Sequence, residues 1–212
     1  MIEAFLLESD VLNNDEIFNR YYITMSQYRK NKIDSLKKRS DKNLSLAVGI
    51  IIQDYLKQLN LSEQKISYST KANGKPFFTD YSNLHFNASH SGNIALCVFS
   101  DSEIGCDIQR LTNANKNIAK RYFTQQEYDF IFNNINPNEA FTRVWSIKEA
   151  FLKLEGTGLG GGLSNVDVLV DIDAVKINNS DVSISEYKFQ DYYIAICSYQ
   201  GEATKEIKII FV

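Results

Sequence analysis

Apolar positions along this chain change period several times, and each change marks a different element. Residues 1–8 read as a strand, and Asn13 or Asn14, followed by Asp15 and Glu16, begins a helix through Ile17, Phe18, Tyr21, Tyr22 and Met25. Ser40-Asp41 is suited to cap a second helix whose buried face carries Leu44, Ala47, Val48, Ile51, Ile52 and Tyr55. From residue 65 to 110 the pattern shortens to strands separated by turns at Asn73-Gly74, Asp80 to Asn83 and Ser91-Gly92-Asn93. Thr124-Gln125-Gln126-Glu127 then forms a capping box ahead of Tyr128, Phe130, Ile131 and Phe132, and Asn136-Pro137 starts a longer helix ending near Gly156 or Gly158. Strand-like stretches run on to Val212. Ile94-Ala95-Leu96-Cys97 is echoed by Ile194-Ala195-Ile196-Cys197, which is either chance or the trace of two similar halves. With no Pro/Gly-rich linker between them, such halves are expected to pack as one unit.

Composition narrows the class. The 212 residues are 44% hydrophobic, enough for a substantial core, and the formal net charge of -3 provides no global basic field. Nonspecific nucleic-acid binding is therefore not indicated, and any anion site has to be local. The first residues lack a basic leader and a small-residue cleavage site, and no apolar run approaches the roughly 20 residues that cross a bilayer. Cys97, Cys106 and Cys197 are an odd, scattered set without metal-ligand spacing, so a reduced, cytoplasmic protein is expected.

Four stretches carry candidate chemistry. Phe86-Asn87-Ala88-Ser89-His90-Ser91-Gly92 reads as a polar turn whose N–H groups, Ser89 hydroxyl and His90 would suit phosphate oxygens, although a lone histidine is more often structural. In Gly105-Cys106-Asp107-Ile108-Gln109, read as a strand end, the period of two puts Asp107 and Gln109 on one face, with Cys106 a packed thiol on the other. Trp145, Glu149 and Lys153 share one helical stripe; the plain reading is a surface Glu149–Lys153 ion pair contributing about 0.3–0.5 kcal/mol, the other a cleft edge fit for a metal–phosphate site. The run Arg29, Lys30, Lys32, Lys37, Lys38 and Arg39 is equally readable as a solvated helix face.

Taken in order, Gly74-Lys75-Pro76, Phe86 to Ser91, Gly105-Cys106-Asp107, Phe123-Thr124 to Glu127, and Trp145-Ser146-Ile147-Lys148-Glu149-Ala150 with Lys153 resemble the 4′-phosphopantetheinyl transferases, over nearly the whole chain. The likeness is to the longer, monomeric class that activates nonribosomal peptide synthetases. It implies an α+β fold of two similar halves in a pseudo-two-fold arrangement, residues 1–103 and 104–212, each an antiparallel sheet packed on helices. Coenzyme A would lie between them as the substrate, and the acceptor would be a serine of an apo acyl or peptidyl carrier protein. By the same resemblance, Asp107 and Glu149, with Gln109 in third place, would hold Mg²⁺, with Mn²⁺ an alternative. Lys153 and His90 would contact the pyrophosphate, and Lys75, Ser89, Ser45, Arg29 and Lys32 the nucleotide end with its 3′-phosphate. Glu149 is the expected base, directly or through a water that it positions.

Two positions depart from the family pattern. Many relatives carry Glu where Gln109 stands, which removes one negative charge from the metal set, and Leu44 replaces an expected basic residue. Glu127 is explained first by its capping box. Lys116, Lys120 and Arg121, with Ile118 and Tyr122, are the expected contact for an acidic carrier helix. A noncatalytic coenzyme A or carrier-binding module is the alternative; a metal-dependent pyrophosphatase lacks the extra acidic cluster for a second metal.

Overall fold

The computed structural model describes residues 1–72, 74–158, 162–170, 175–177, 180–199 and 206–212. Strand β1 (Glu3–Glu8) leads through a 3₁₀ turn to helix α1 (Asp15–Tyr22), where the Asn14 side chain accepts the N–H groups of Glu16 and Ile17 as a true N-cap. Met25 lies beyond this helix, in the turn to α2 (Gln27–Ser35), which Ser26 caps. The long helix α3 (Arg39–Gln58) begins earlier than Ser40-Asp41 predicts. Lys38 occupies the cap position without a side-chain bond, and Ser40 and Asp41 fall inside the first turn. Arg39 fixes that start, donating to Asn43 and to the Leu12 carbonyl and pairing with Asp15.

A short ribbon, β2 (Tyr68–Thr70) and β3 (Pro76–Phe78), precedes the hairpin β4 (His85–Ser91) and β5 (Ile94–Ser100). Asn73 lies outside the described residues; its neighbour Gly74 has φ +85°. The stretch Phe86–Ser91 is therefore strand, not turn, and only Gly92-Asn93 reverses the chain. Its backbone pairs with β5 along one side, as the edge strand of the sheet. Next come β6 (Ile104–Arg110), α4 (Lys116–Tyr122), α5 (Gln125–Phe132) and α6 (Pro137–Glu155), which has Pro137 in its first turn and left-handed Gly156 as its end. A second ribbon, β7 (Val168–Val170) and β8 (Val175–Ile177), precedes the hairpin β9 (Ser183–Phe189) and β10 (Tyr192–Ser198). Strand β11 (Ile207–Ile209) returns to the first sheet.

The α+β expectation holds, and the echo has a topological meaning. The first sheet runs β11-β1-β5-β4 and the second β6-β10-β9. Strand, long helix, two-stranded ribbon and hairpin occur in both halves in the same order, with the hairpin's second strand central each time. Ile94 and Leu96 of β5 face Ile194 and Ile196 of β10 in a shared apolar layer with Leu6, Ile104, Cys106 and Ile108. On the opposite faces, Ala95 and Cys97 belong to the core under α3, and Ala195 and Cys197 to the core under α6. Small residues there let each helix lie close to its sheet. Complete burial of a Leu or Ile side chain contributes about 1.5–3 kcal/mol, so this layer stabilises the contact between the two sheets. All three cysteines are buried and free. Among the described residues, no helix is long and apolar enough to cross a membrane.

Candidate active site

Strand β4 runs beside β6, and alternate side chains bridge them. Asn87 Oδ1 accepts the Cys106 N–H at 2.9 Å, Ser91 Oγ accepts the Arg110 N–H at 3.0 Å, and between them Ser89 Oγ donates to Asp107 Oδ1 at 2.7 Å. Asp107 sits in the middle of β6 rather than at a strand end, and is 5% exposed. The period of two turns it toward α6, on the side of Gly105 and Gln109, while Cys106 and Ile108 enter the layer between sheets. Gly105 sets how near α6 can come, because a Cβ there would collide with the Ala150 carbonyl oxygen and the Leu154 backbone nitrogen.

That close approach brings the helical stripe to the strand. Lys153 Nζ donates to Asp107 Oδ1 at 2.7 Å and to Ser89 Oγ at 2.9 Å, closing a triangle. Burial opposes charge on Lys153, but Asp107 and Glu149 outweigh it and raise its pKa above the ordinary lysine value. Asp107 Oδ2 is buried and has no hydrogen-bond partner among the described residues. Glu149, one turn before Lys153, is half-buried and makes no hydrogen bond or ion pair among the described residues. Burial, reinforced by the charge of Asp107, raises its pKa, and Lys153 partly restrains the rise. Gln109 shares the Asp107 face opposite Tyr193, half-buried and likewise without a hydrogen bond among the described residues. Of the two readings of this stripe, the surface Glu149–Lys153 pair is not formed among the described residues, and Lys153 pairs with Asp107 instead.

The nucleotide candidates have different surroundings. Arg29 is 2% exposed, with one bond from Nη1 to the Ser45 carbonyl at 3.5 Å; its Nε and the neighbouring Ser45 hydroxyl are buried without partners. The basic run is thus not simply a solvated face. Lys32 has its pKa lowered by desolvation and then by Arg29, and His90 is held below the ordinary histidine value by desolvation and then by Lys153 and Lys32. Lys75 behaves otherwise. Its ammonium, in a residue 9% exposed, donates to the Ile104 carbonyl at 2.8 Å, the Lys153 carbonyl at 2.9 Å and Glu103 at 3.0 Å. These bonds use the three donors an ammonium has, tying the first ribbon to β6 and the end of α6.

Glu127 is structural, as its capping box predicts. It accepts the N–H groups of Thr124 and Val168, and it pairs with the wholly buried Lys148, which also donates to the Tyr122 carbonyl. Lys148 was not singled out from sequence, yet a signal exists: it stands on the apolar stripe Val144, Lys148, Leu152. Asn87 left no comparable trace. On α4, Lys116, Ile118, Lys120 and Arg121 are exposed.

The donor set fits a hard cation. Asp107 Oδ2 is an orphaned buried carboxylate oxygen, Glu149 is an unpaired carboxylate on the facing helix, and Gln109 offers an amide oxygen. Among the described residues no three His, Cys, Asp or Glu side chains form a self-sufficient metal cage. A cation such as Mg²⁺ does not need one, because it keeps waters and takes one or two carboxylates together with substrate phosphates.

A sequence model of the 4′-phosphopantetheinyl transferase superfamily matches residues 103–197, the span that holds Asp107, Gln109, Glu149 and Lys153. The chain is 28% identical over 200 residues to 4′-phosphopantetheinyl transferase Sfp of Bacillus subtilis (strain 168), covering 90% of this chain and 89% of that protein. It is 30% identical to 4′-phosphopantetheinyl transferase psf-1 of Bacillus pumilus, covering 71% of this chain and 68% of that protein. The crystal structure of Thermotoga maritima holo-[acyl-carrier-protein] synthase is a partial likeness, with TM-score 0.38 and 22% identity over 45% of this chain and 61% of that one. The 30% identity to one such enzyme over 71% of this chain, with lower identity to others over nine-tenths of it, shows that this chain belongs to the 4′-phosphopantetheinyl transferase superfamily.

Proposed function

We propose that the protein transfers the 4′-phosphopantetheine arm of coenzyme A to a serine of an apo acyl or peptidyl carrier protein, releasing adenosine 3′,5′-bisphosphate. The observation that carries the reading is the Ser89–Asp107–Lys153 triangle with the unpartnered Asp107 Oδ2 and the unpaired Glu149 beside it. Two acids and one ammonium at a strand–helix junction suit a pyrophosphate and its cation, and family membership supplies the substrate class.

In the reaction the carrier serine oxygen forms a bond to the β-phosphorus as the bond to the bisphosphate oxygen breaks. The serine proton needs an acceptor, since a hydroxyl is a weak nucleophile at neutral pH. Glu149 is suited to that role, directly or through one water that it positions, because it is a half-buried carboxylate that makes no hydrogen bond or ion pair among the described residues. Lys153, kept charged by Asp107, would stabilise negative charge on the pyrophosphate and the departing group. Asp107, Glu149 and Gln109 would hold Mg²⁺, or Mn²⁺, which when bound neutralises phosphate charge. Ser89 and His90 would contact the phosphates, and Arg29, Lys32 and Ser45 the nucleotide's 3′-phosphate; Lys75 has its ammonium engaged by protein groups, so any part it takes there is by backbone or stem. The reading includes a monomer working in the cytoplasm, with residues 1–103 as the nucleotide half, 104–212 as the metal half, and α4 as the carrier's contact.

The test is intact-mass spectrometry of an apo carrier protein incubated with this protein, coenzyme A and Mg²⁺. A gain of roughly 340 Da, the mass of the transferred arm, that disappears with Asp107→Ala and with Glu149→Ala is the expected result. Coenzyme A binding without any gain across several carriers would instead identify a noncatalytic binding module.

A further inference from the structure

Helix α2 carries both Arg29 and Lys32, and a residue from beyond α3 holds its first turn. Glu63, 1% exposed, spends both carboxylate oxygens there: Oε2 accepts the Ser26 N–H at 2.5 Å and Oε1 accepts the Ser26 hydroxyl at 2.6 Å. Ser26 in turn caps α2, its Oγ accepting the Arg29 N–H at 3.2 Å. The Tyr68 hydroxyl donates to Glu63 Oε1 at 3.1 Å, and the Tyr68 ring stacks on Tyr28 of α2 at 4.5 Å between centroids and 8° between planes. Burial, and then the charge of Glu63, raises the Tyr68 pKa, so the hydroxyl stays a donor.

A buried carboxylate normally requires a cation, yet Glu63 forms no ion pair among the described residues. It is stabilised by charge-assisted bonds and by the positive end of α2. Arg29 is the complementary case, a buried guanidinium with an unsatisfied Nε and no carboxylate within ion-pair distance among the described residues. Pairing these two opposite charges would have satisfied both. Instead Glu63 holds the backbone that carries Arg29, and the cation is left for something else.

We infer that Glu63 is a positioning residue for coenzyme A: by fixing the first turn of α2 through Ser26, it aims Arg29 and Lys32 at the 3′-phosphate. The inference rests on the proposed reading that α2 holds that phosphate. Without the cap, the first turn of a nine-residue helix loses partners for N–H groups that have none within the helix, and both cations lose their fixed direction.

Calorimetric dissociation constants for coenzyme A and for 3′-dephospho-coenzyme A, measured in the presence of Mg²⁺, separate this role from a structural one. The wild type is expected to prefer coenzyme A, and Lys32→Gln to lose most of that preference. Glu63→Gln and Ser26→Ala should weaken coenzyme A by about 2- to 30-fold, the equivalent of a lost helix cap, and leave the dephospho compound unchanged. Equal weakening of both ligands, or of neither, in those two variants overturns the inference. A wild type indifferent to the 3′-phosphate, or Lys32→Gln retaining full preference, overturns the reading of α2 beneath it, without any change at Glu63. Should Glu63→Gln fail to fold, Ser26→Ala decides alone, because it keeps the carboxylate with its bonds to the residue 26 N–H and the Tyr68 hydroxyl and removes only the hydroxyl that joins Glu63 to the Arg29 N–H.

Discussion

Asp107 has one oxygen shared by Ser89 and Lys153 and another without a donor among the described residues, which is where the proposed cation would bind. Asp107→Asn keeps the shape and removes the charge. We expect it to lower kcat for carrier modification by about 10²–10³-fold, the scale of losing one electrostatic group in a water-poor site, while the protein remains folded by circular dichroism. Gln109→Glu adds a carboxylate on the same face and should tighten Mn²⁺ binding followed by electron paramagnetic resonance; unchanged affinity would remove Gln109 from the metal set. At this scale the sequence was partly legible. The spacing of Glu149 and Lys153 placed them on one stripe, but the partner of Lys153 is Asp107, 46 residues earlier, and no local period encodes a contact that depends on how near α6 approaches β6.

Among elements, α6 matters most, because its position against β6 sets the geometry of the site. Gly105 permits that contact, and Gly105→Ala should destabilise the fold by about 1–3 kcal/mol through overpacking, with a loss of kcat larger than the population of folded protein explains; urea unfolding and a kinetic assay on the same sample measure both. Glu127 and Lys148 hold α5 and the Tyr122 carbonyl to the other side of α6. Lys148→Met strands a buried carboxylate and should cost about 3–5 kcal/mol, most of which Glu127→Gln in the same chain should restore. Capping chemistry made α1, α5 and α6 readable in advance, since Asn14, Thr124 and Gly156 act within their own helices. The start of α3 was misread because Arg39 is fixed by residues of the preceding turn and helix, which no cap pattern reports. Polar strand β4 was misread as a turn for a related reason: Asn87, Ser89 and Ser91 are polar because they bridge to β6.

The whole molecule is two copies of one topology joined through an apolar layer. Four echoed residues were enough to suggest it, because residues 94–97 and 194–197 carry the same division of labour: large side chains inward between the sheets, small ones toward the helix. Leu96→Ala, in that layer, should cost about 2–5 kcal/mol and shift a single unfolding transition seen alike by tyrosine and by Trp145 fluorescence. Two separated transitions would mean that the halves fold independently. The return of β11 to β1 was beyond sequence reasoning, since a three-residue strand has too short a period to read. It also sets an order of events. During synthesis the first half emerges with the outer edge of β1 open, and the whole second half has to leave the ribosome before residues 207–209 close it. Until those residues arrive, the apolar edge Ala4-Phe5-Leu6 stays unpaired, so the first sheet depends for its completion on a strand that follows the whole second half in chain order.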